Sequence, residues 1–150
     1  MTSTSGTNSN AMTRKAFPGA ILLALLLSSG CSLFHRVEAP VNTVSVTQAE
    51  RVLSADTSVV VLDVRTTQEW QSDTGHLKGA LFIPIQELEA NLYKLAPYKS
   101  RTIIVYCRTG GRSARAARLL SAKGFNVFSM EGGITKWNTE DLPVVKEASQ

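Results

Sequence analysis

The chain has 150 residues, of which 43% are hydrophobic and 19% charged. This composition supports one ordinary globular domain and not two. The formal net charge is +4, and it falls to +2 without Arg14 and Lys15, which lie in a segment with the pattern of a removable leader. So small a charge argues against nucleic acid as a partner.

A secretory leader is predicted for residues 1–30. Arg14 and Lys15 precede an apolar run of about twelve residues, Ala16 to Leu27, which is followed by small residues. That order is typical of a signal peptide, and the run is shorter than the roughly 20 residues of a membrane-spanning helix. Residues 1–13 are rich in Ser, Thr and Asn. Two interpretations remain open: these residues are an extended start of the leader, or translation begins at Met12.

The end of the predicted leader resembles the lipobox of bacterial lipoproteins, because small residues stand immediately before Cys31. Ser28 stands where that family usually has Leu. The resemblance implies that Cys31 becomes the first mature residue and carries a lipid anchor to the membrane. Ser32 after the cysteine implies sorting to the outer membrane. We therefore expect an exported, periplasm-facing lipoprotein in which residues 31–42 are the lipidated cysteine and a linker.

Strands and helices are predicted to alternate over residues 43–145, with residues 146–150 as a tail. The predicted strands are Val44–Val46, Val59–Leu62, Leu81–Ile83, Thr102–Tyr106 and Val127–Met130. The predicted helices run from Thr47 to about Ala55, from Thr66 to before Gly75, from Gln86 to Leu95 and from Ser113 to Lys123. This alternation predicts an α/β fold, a parallel sheet with helices on both faces. Ligand sites in such folds lie at the carboxyl ends of the strands.

Local signals set the boundaries of these helices. Two helix starts have the capping-box pattern, Thr47 with Glu50 and Thr66 with Glu69. Three leucines at positions 88, 92 and 95 predict one buried helical stripe. Ser113 is a candidate cap for the fourth helix, and Gly124 is its predicted end.

The fourth predicted strand leads directly into the sequence CRTGGRS, Cys107 to Ser113. A strand, a glycine-containing turn and a helix start leave backbone N–H groups unpaired at the positive end of the helix dipole. These groups, with the guanidinium groups of Arg108 and Arg112, would lower the pKa of the Cys107 thiol and favour the reactive thiolate. The alternative is a buried structural cysteine, but an apolar core position does not need two arginines and two glycines nearby.

The number of cysteines supports a functional thiol at position 107. The chain has two cysteines, so acylation of Cys31 would leave Cys107 without a partner. An unpaired thiol is a liability in an oxidising compartment unless it has a function.

Three separated segments resemble the rhodanese-like family over residues 43–144. The first, Leu62 to Ile85, has Asp63, Arg65, Glu69, Gly75, His76, Gly79 and Ala80 in matching order; the second is CRTGGRS; the third is EGGITKWN, with Gly132, Gly133 and Trp137. The resemblance implies a three-layer rhodanese-like domain and sulfur transfer through a persulfide on Cys107. It implies thiosulfate or a similar small anion as donor and a thiol or cyanide as acceptor. The sequence has no glycine-rich phosphate loop, dinucleotide fingerprint or cluster of His and Cys, so we expect no cofactor or metal.

The same resemblance implies a set of substrate-binding residues in the loop. They are Arg108, Thr109, Gly110, Gly111, Arg112 and Ser113. Backbone N–H groups of residues 108–112 would hold the persulfide and the donor's anionic oxygens. Asp63 and Arg65 are supporting residues, either a functional pair at the cleft or, as we favour, a structural ion pair.

Two alternative functions remain open. One is a cysteine phosphatase or arsenate reductase. Cysteine phosphatases of related fold need an arginine six places after the cysteine to clamp phosphate, but that residue here is Ser113, and Arg112 comes one place early. The other alternative is a non-enzymatic module that carries sulfur or binds a partner protein through the same loop. For His76 we favour a structural role over that of a proton donor, and we expect Trp70 and Trp137 to pack in the core.

Overall fold

A computed structural model of the chain describes residues 40–146. The predicted leader, Cys31, most of the linker and most of the tail lie outside the described residues. No helix within residues 40–146 has the length and apolar character needed to cross a bilayer.

Five parallel strands form one sheet in the order β1-β5-β4-β2-β3. The strands are β1 (Thr43–Val44), β2 (Val60–Asp63), β3 (Leu81–Phe82), β4 (Thr102–Tyr106) and β5 (Asn126–Met130). The helices are α1 (Val46–Ala55), α2 (Thr67–Trp70), α3 (Gly111–Ala122) and α4 (Gly133–Thr139), and a 3-10 helix covers Leu92–Tyr98. The predicted parallel α/β fold is confirmed.

Helices cover both faces of the sheet, because β2 and β4 are buried on both sides and need apolar partners above and below. On one face Leu62 and Val105 pack with Ala116 and Leu120 of α3. On the other face, a second cluster joins strand residues to α1 and α4; it includes Val46, Val61, Ile104, Ile134 and Trp137. The domain therefore has three layers, as predicted.

The register of the two central strands positions the site. β2 and β4 pair so that Asp63 lies beside Tyr106 at the carboxyl edge of the sheet. Cys107 is the next residue after β4, so its side chain belongs to this edge, where parallel α/β folds bind ligands.

The predicted cap of α1, Thr47, is wrong by two residues. The helix begins at Val46, and Ser45 caps it in a capping box with Gln48. Thr47 and Glu50 have the same spacing but lie inside the helix, and the hydroxyl of Thr47 donates to Glu140 instead. Val46 belongs to the helix because its side chain is fully buried there, which ends β1 at Val44. The second predicted box, Thr66 with Glu69, is confirmed.

The helix predicted from Gln86 to Leu95 is also wrong, since residues 86–91 form turns and only a 3-10 helix follows. Leu88 and Leu95 are buried as predicted. The side-chain amide of Asn91 donates to the Glu87 carbonyl at 2.9 Å, and the backbone N–H of Asn91 bonds to the carbonyls of Glu87 and Leu88. Pro97 lacks the N–H that a longer α-helix would need there.

The carboxy-terminal half contains one helix that the sequence patterns did not predict, α4, which follows the Gly132-Gly133 pair. In addition, α3 begins at Gly111 and not at Ser113. Ser113 is therefore no helix cap; it lies in the first turn, where its hydroxyl donates back to the Gly110 carbonyl at 2.8 Å.

Candidate active site

The candidate nucleophile lies at the junction of β4 and α3. Cys107 is buried, with 1% of its surface exposed, and has no disulfide partner among the described residues. Gly110 occupies the cap position of α3 with φ of 105°, a backbone conformation that side chains disfavour. The turn there brings the backbone of Gly110 and Ser113 towards the sulfur.

Backbone N–H groups converge on this sulfur. The N–H of Gly110 donates to Sγ of Cys107 at 3.2 Å. Burial opposes ionisation of the thiol, but hydrogen bonds from the backbone of Ser113, Gly110 and Thr109, and from the Ser113 hydroxyl, lower the pKa of Cys107 below its usual value. The loop therefore favours a thiolate, which is the nucleophilic form of cysteine.

The start of α4 holds the loop from the other side. The N–H of Ile134 donates to the Cys107 carbonyl at 2.9 Å, and the N–H of Thr135 donates to the Arg108 carbonyl at 3.0 Å. Gly133, which precedes these two residues, has φ of 56°, and a Cβ on it would overlap the carbonyl oxygens of Cys107 and Arg108. Since these carbonyls point towards α4, the N–H groups of the same peptide units, those of Arg108 and Thr109, point away from α4. The glycine pair in EGGITKWN, Gly132 and Gly133, is the sequence signal for this contact.

The two arginines of the loop have different surroundings. Arg112 forms a bidentate ion pair with Glu69 of α2, with both N–O distances 2.6 Å. The Arg112 guanidinium and hydrogen bonds from Thr66 lower the pKa of Glu69 to about 2. Arg108 is exposed, and within residues 40–146 its side chain has no hydrogen bond or ion pair. Arg108 is therefore the loop cation available to a ligand.

The other predicted loop residues differ in their exposure. Thr109 and Gly111 are exposed at the mouth of the loop, and Ser113 is buried beneath it. The Ser113 hydroxyl lies 3.8 Å from Sγ of Cys107. A cleft of about 610 Å³ opens beside the loop, bounded by Arg108, Glu69 and Thr135 among others. This space is large enough for a small anionic donor or acceptor.

Asp63 and Arg65 form a fully buried ion pair at 2.7 Å. The Arg65 guanidinium also donates to the Thr74 hydroxyl at 2.9 Å and to the Gly75 carbonyl at 2.8 Å. These bonds satisfy a buried charge that would otherwise be costly, and they tie the turn at residues 74–75 to the end of β2.

His76 and the tryptophans pack within the domain. The backbone of His76 exchanges two hydrogen bonds with Val145, and its ring stacks on Trp70 with centroids 4.0 Å apart. Trp70 is half-buried, whereas Trp137 is buried and its indole N–H donates to the Pro143 carbonyl at 3.1 Å.

The fold and the loop together define a class of protein: a parallel α/β domain with a buried cysteine at the end of a central strand, whose sulfur is surrounded by converging backbone N–H groups. A family model for the rhodanese-like domain matches residues 45–140, and the chain belongs to this family.

Similar proteins and solved structures agree with this family assignment. The thiosulfate sulfurtransferase PspE of Escherichia coli is 33% identical over 73 residues, which cover 49% of this chain and 68% of that protein. A sulfurtransferase of Allochromatium vinosum is 33% identical over 93 residues, covering 61% of this chain and 83% of the relative. The crystal structure of a rhodanese-related protein from Thermoplasma volcanium matches with a TM-score of 0.64 and 32% identity, over 71% of this chain and 99% of that one.

The ion pair between Glu69 and Arg112 predicts a pH-dependent contribution to stability. Because the pKa of Glu69 falls from 4.5 to about 2 on folding, its contribution is fully present above pH 4.5 and is lost as the pH falls towards 2. We expect Glu69→Gln to lower the free energy of unfolding by on the order of 1 kcal/mol near neutral pH, and by progressively less below pH 4.5. Urea titrations over this pH range measure the difference.

The matched control for this prediction is Glu89→Gln, which changes an exposed carboxylate. It should leave the free energy of unfolding nearly unchanged at every pH. An effect of Glu69→Gln that stays constant from neutral pH down to pH 2.5 would contradict the assignment of this pKa to the ion pair.

Proposed function

We propose that this protein is a sulfurtransferase that takes a sulfane sulfur from thiosulfate or a similar donor and passes it to a thiophilic acceptor. Cys107 carries the sulfur as a persulfide. The observation that carries the proposal is the convergence of backbone N–H groups on the sulfur of a buried cysteine whose pKa is lowered. These groups stabilise an anionic sulfur without a metal ligand or a general base.

The chemistry follows from this arrangement in two displacement steps. The Cys107 thiolate attacks the outer sulfur of thiosulfate, the S–S bond of the donor breaks, and sulfite leaves with the electron pair. The negative charge then lies on the terminal sulfur of the persulfide, where the loop N–H groups can hold it. A thiolate or cyanide acceptor attacks that terminal sulfur, the bond to Sγ breaks, and the Cys107 thiolate is restored.

Arg108 supports the choice of a dianionic donor. Arg112 is neutralised by Glu69, so the loop's unpaired positive charge comes from Arg108, which borders the cleft. A guanidinium can bind two oxygens of a sulfonate group at once. Arg108 would therefore attract thiosulfate and orient its oxygens away from Cys107, with the outer sulfur towards the thiolate.

The same ion pair disfavours a cysteine phosphatase. Such an enzyme needs its loop arginine to clamp two phosphate oxygens. Here the arginine comes one residue early, and both terminal nitrogens of its guanidinium are bound to Glu69.

We predict that Cys107→Ser abolishes sulfur transfer from thiosulfate to cyanide, because a serine hydroxyl at this position cannot form a persulfide. The native protein should gain the mass of one sulfur atom after treatment with thiosulfate, and the variant should not. Urea denaturation of both proteins provides the control for folding. Transfer by the variant, or no added sulfur on a folded and reduced native protein, would refute the mechanism.

The sulfur-carrier alternative predicts a different combination of results. In that case Cys107 gains sulfur but returns it only to one partner protein, and cyanide does not discharge it. Turnover with cyanide therefore separates the enzyme from the carrier.

We predict that Arg108→Ala raises KM for thiosulfate about tenfold, the loss expected for one charge-assisted contact, with a smaller change in kcat. Steady-state assays at fixed cyanide measure both constants. Arg115→Ala is the matched control, because it removes one positive charge from an exposed position of α3. Equal effects of the two substitutions would show that only the overall charge matters.

We also propose that the protein is anchored to the periplasmic side of the outer membrane through lipid on Cys31. Support for this proposal comes from the basic residues, the apolar run and the small residues that precede Cys31. When the full chain is expressed in a Gram-negative bacterium, Cys31→Ser should move it from the membrane pellet to the soluble fraction. Membrane association that survives this substitution would contradict the anchor.

A further inference from the structure

A second buried serine lies behind the nucleophile, on a strand that the sequence analysis did not connect with the site. Ser129 of β5 is 2% exposed, and its hydroxyl donates to the Ser113 hydroxyl at 2.9 Å. Ser113 is fully buried and lies 3.8 Å from Sγ of Cys107. Two hydroxyl groups thus form a chain that leads from the middle of the domain to the reactive sulfur.

The position of Ser129 follows from the alternation of side chains along β5. Val127, two residues earlier, packs in the apolar cluster that includes α3, so Ser129 points to the same face of the sheet. A hydroxyl in such a cluster costs free energy unless it is hydrogen-bonded. Its described partner is the hydroxyl of Ser113, which itself contacts the nucleophile.

The protons of this chain can be counted. A hydroxyl group has one proton to donate and two lone pairs to accept. While Cys107 is a thiol, Ser113 accepts from Ser129 and from the thiol and donates to the Gly110 carbonyl at 2.8 Å. All three of its hydrogen-bonding positions are then in use.

Ionisation of the thiol changes this balance. The sulfur stops donating and can accept one more hydrogen bond, and rotation of the Ser113 hydroxyl can redirect its O–H group from the Gly110 carbonyl to the sulfur. The bond from Ser129 is kept in both states. It fixes the Ser113 oxygen and polarises its O–H group, which strengthens donation to an anion.

We propose that Ser129 is a positioning residue of this site, whose hydroxyl holds that of Ser113 where it can donate to the Cys107 thiolate. The proposal deepens the function proposed above and rests on the same nucleophile. The Ser113 hydroxyl contributes to the lowered pKa of Cys107, so loss of Ser129 should weaken that contribution without removing the backbone N–H groups.

The pH dependence of cysteine alkylation tests this role, because iodoacetamide reacts with the thiolate. The full chain is alkylated under reducing conditions over a range of pH, and the Cys107 peptide is followed by mass spectrometry to separate it from Cys31. We expect Ser129→Ala to shift the midpoint for Cys107 to higher pH. Below the midpoint, alkylation should slow by roughly two- to tenfold, the effect of one hydrogen bond.

A matched pair of variants keeps the test valid if Ser129→Ala folds poorly. Ser129→Thr and Ser129→Val have nearly the same shape, and both suit a strand, but only threonine keeps the hydroxyl. We expect the threonine variant to titrate like the native protein and the valine variant to show the upward shift. An equal midpoint for the two overturns the proposal.

The Ser113→Ala background tests whether Ser129 acts through Ser113. In a double-mutant cycle, Ser129→Ala should have no further effect on the alkylation midpoint once the Ser113 hydroxyl is gone. A shift of the same size in that background overturns the proposal. Alkylation needs no sulfur donor, so a native protein that fails to transfer sulfur would refute the proposed function and leave this titration interpretable.

Discussion

The site depends on two hydrogen bonds that the first turn of α4 donates to the carbonyls of Cys107 and Arg108. The C=O and N–H of a peptide unit point in opposite directions. Fixing these carbonyls towards α4 therefore turns the N–H groups of the same peptide units, those of Arg108 and Thr109, away from α4, and the backbone of Thr109 is among the groups that lower the pKa of Cys107. The contact requires the backbone of α4 to approach within hydrogen-bonding distance, and only a residue without a Cβ fits at Gly133. The carboxy-terminal segment thus shapes the loop although it contributes no reactive group.

The arginines around the loop are mostly neutralised by ion pairs, and backbone N–H groups donate to the sulfur. Arg65 is balanced by Asp63 in the interior, and Arg112 by Glu69 at the rim. Each pair also ties together segments that meet at the carboxyl edge of the sheet. In the proposed mechanism, oriented N–H groups hold the anion as the charge moves from the thiolate to the persulfide. Arg108 remains as a cation at the entrance.

Several features were predictable because their causes are local. Continuous apolar runs identified β2 and β4, and the capping box at Thr66 identified the start of α2. Errors arose where two local patterns competed. Ser45 with Gln48 and Thr47 with Glu50 have similar cap spacing, and burial of Val46 decides between them. The leucines of residues 86–95 predicted burial, but turns and a 3-10 helix take the place of the regular α-helix.

Sequence patterns alone predict the parallel α/β class, the cysteine at the end of a central strand and the glycine turn that begins α3, since each depends on neighbouring residues. Long-range packing sets the partner of Arg112, the contact of α4 with the loop and the hydroxyl of Ser129 behind Ser113. Glu69 and Arg112 are 43 positions apart, and no periodicity links them. Such contacts depend on strand register and helix packing, which the whole core sets and no local pattern encodes.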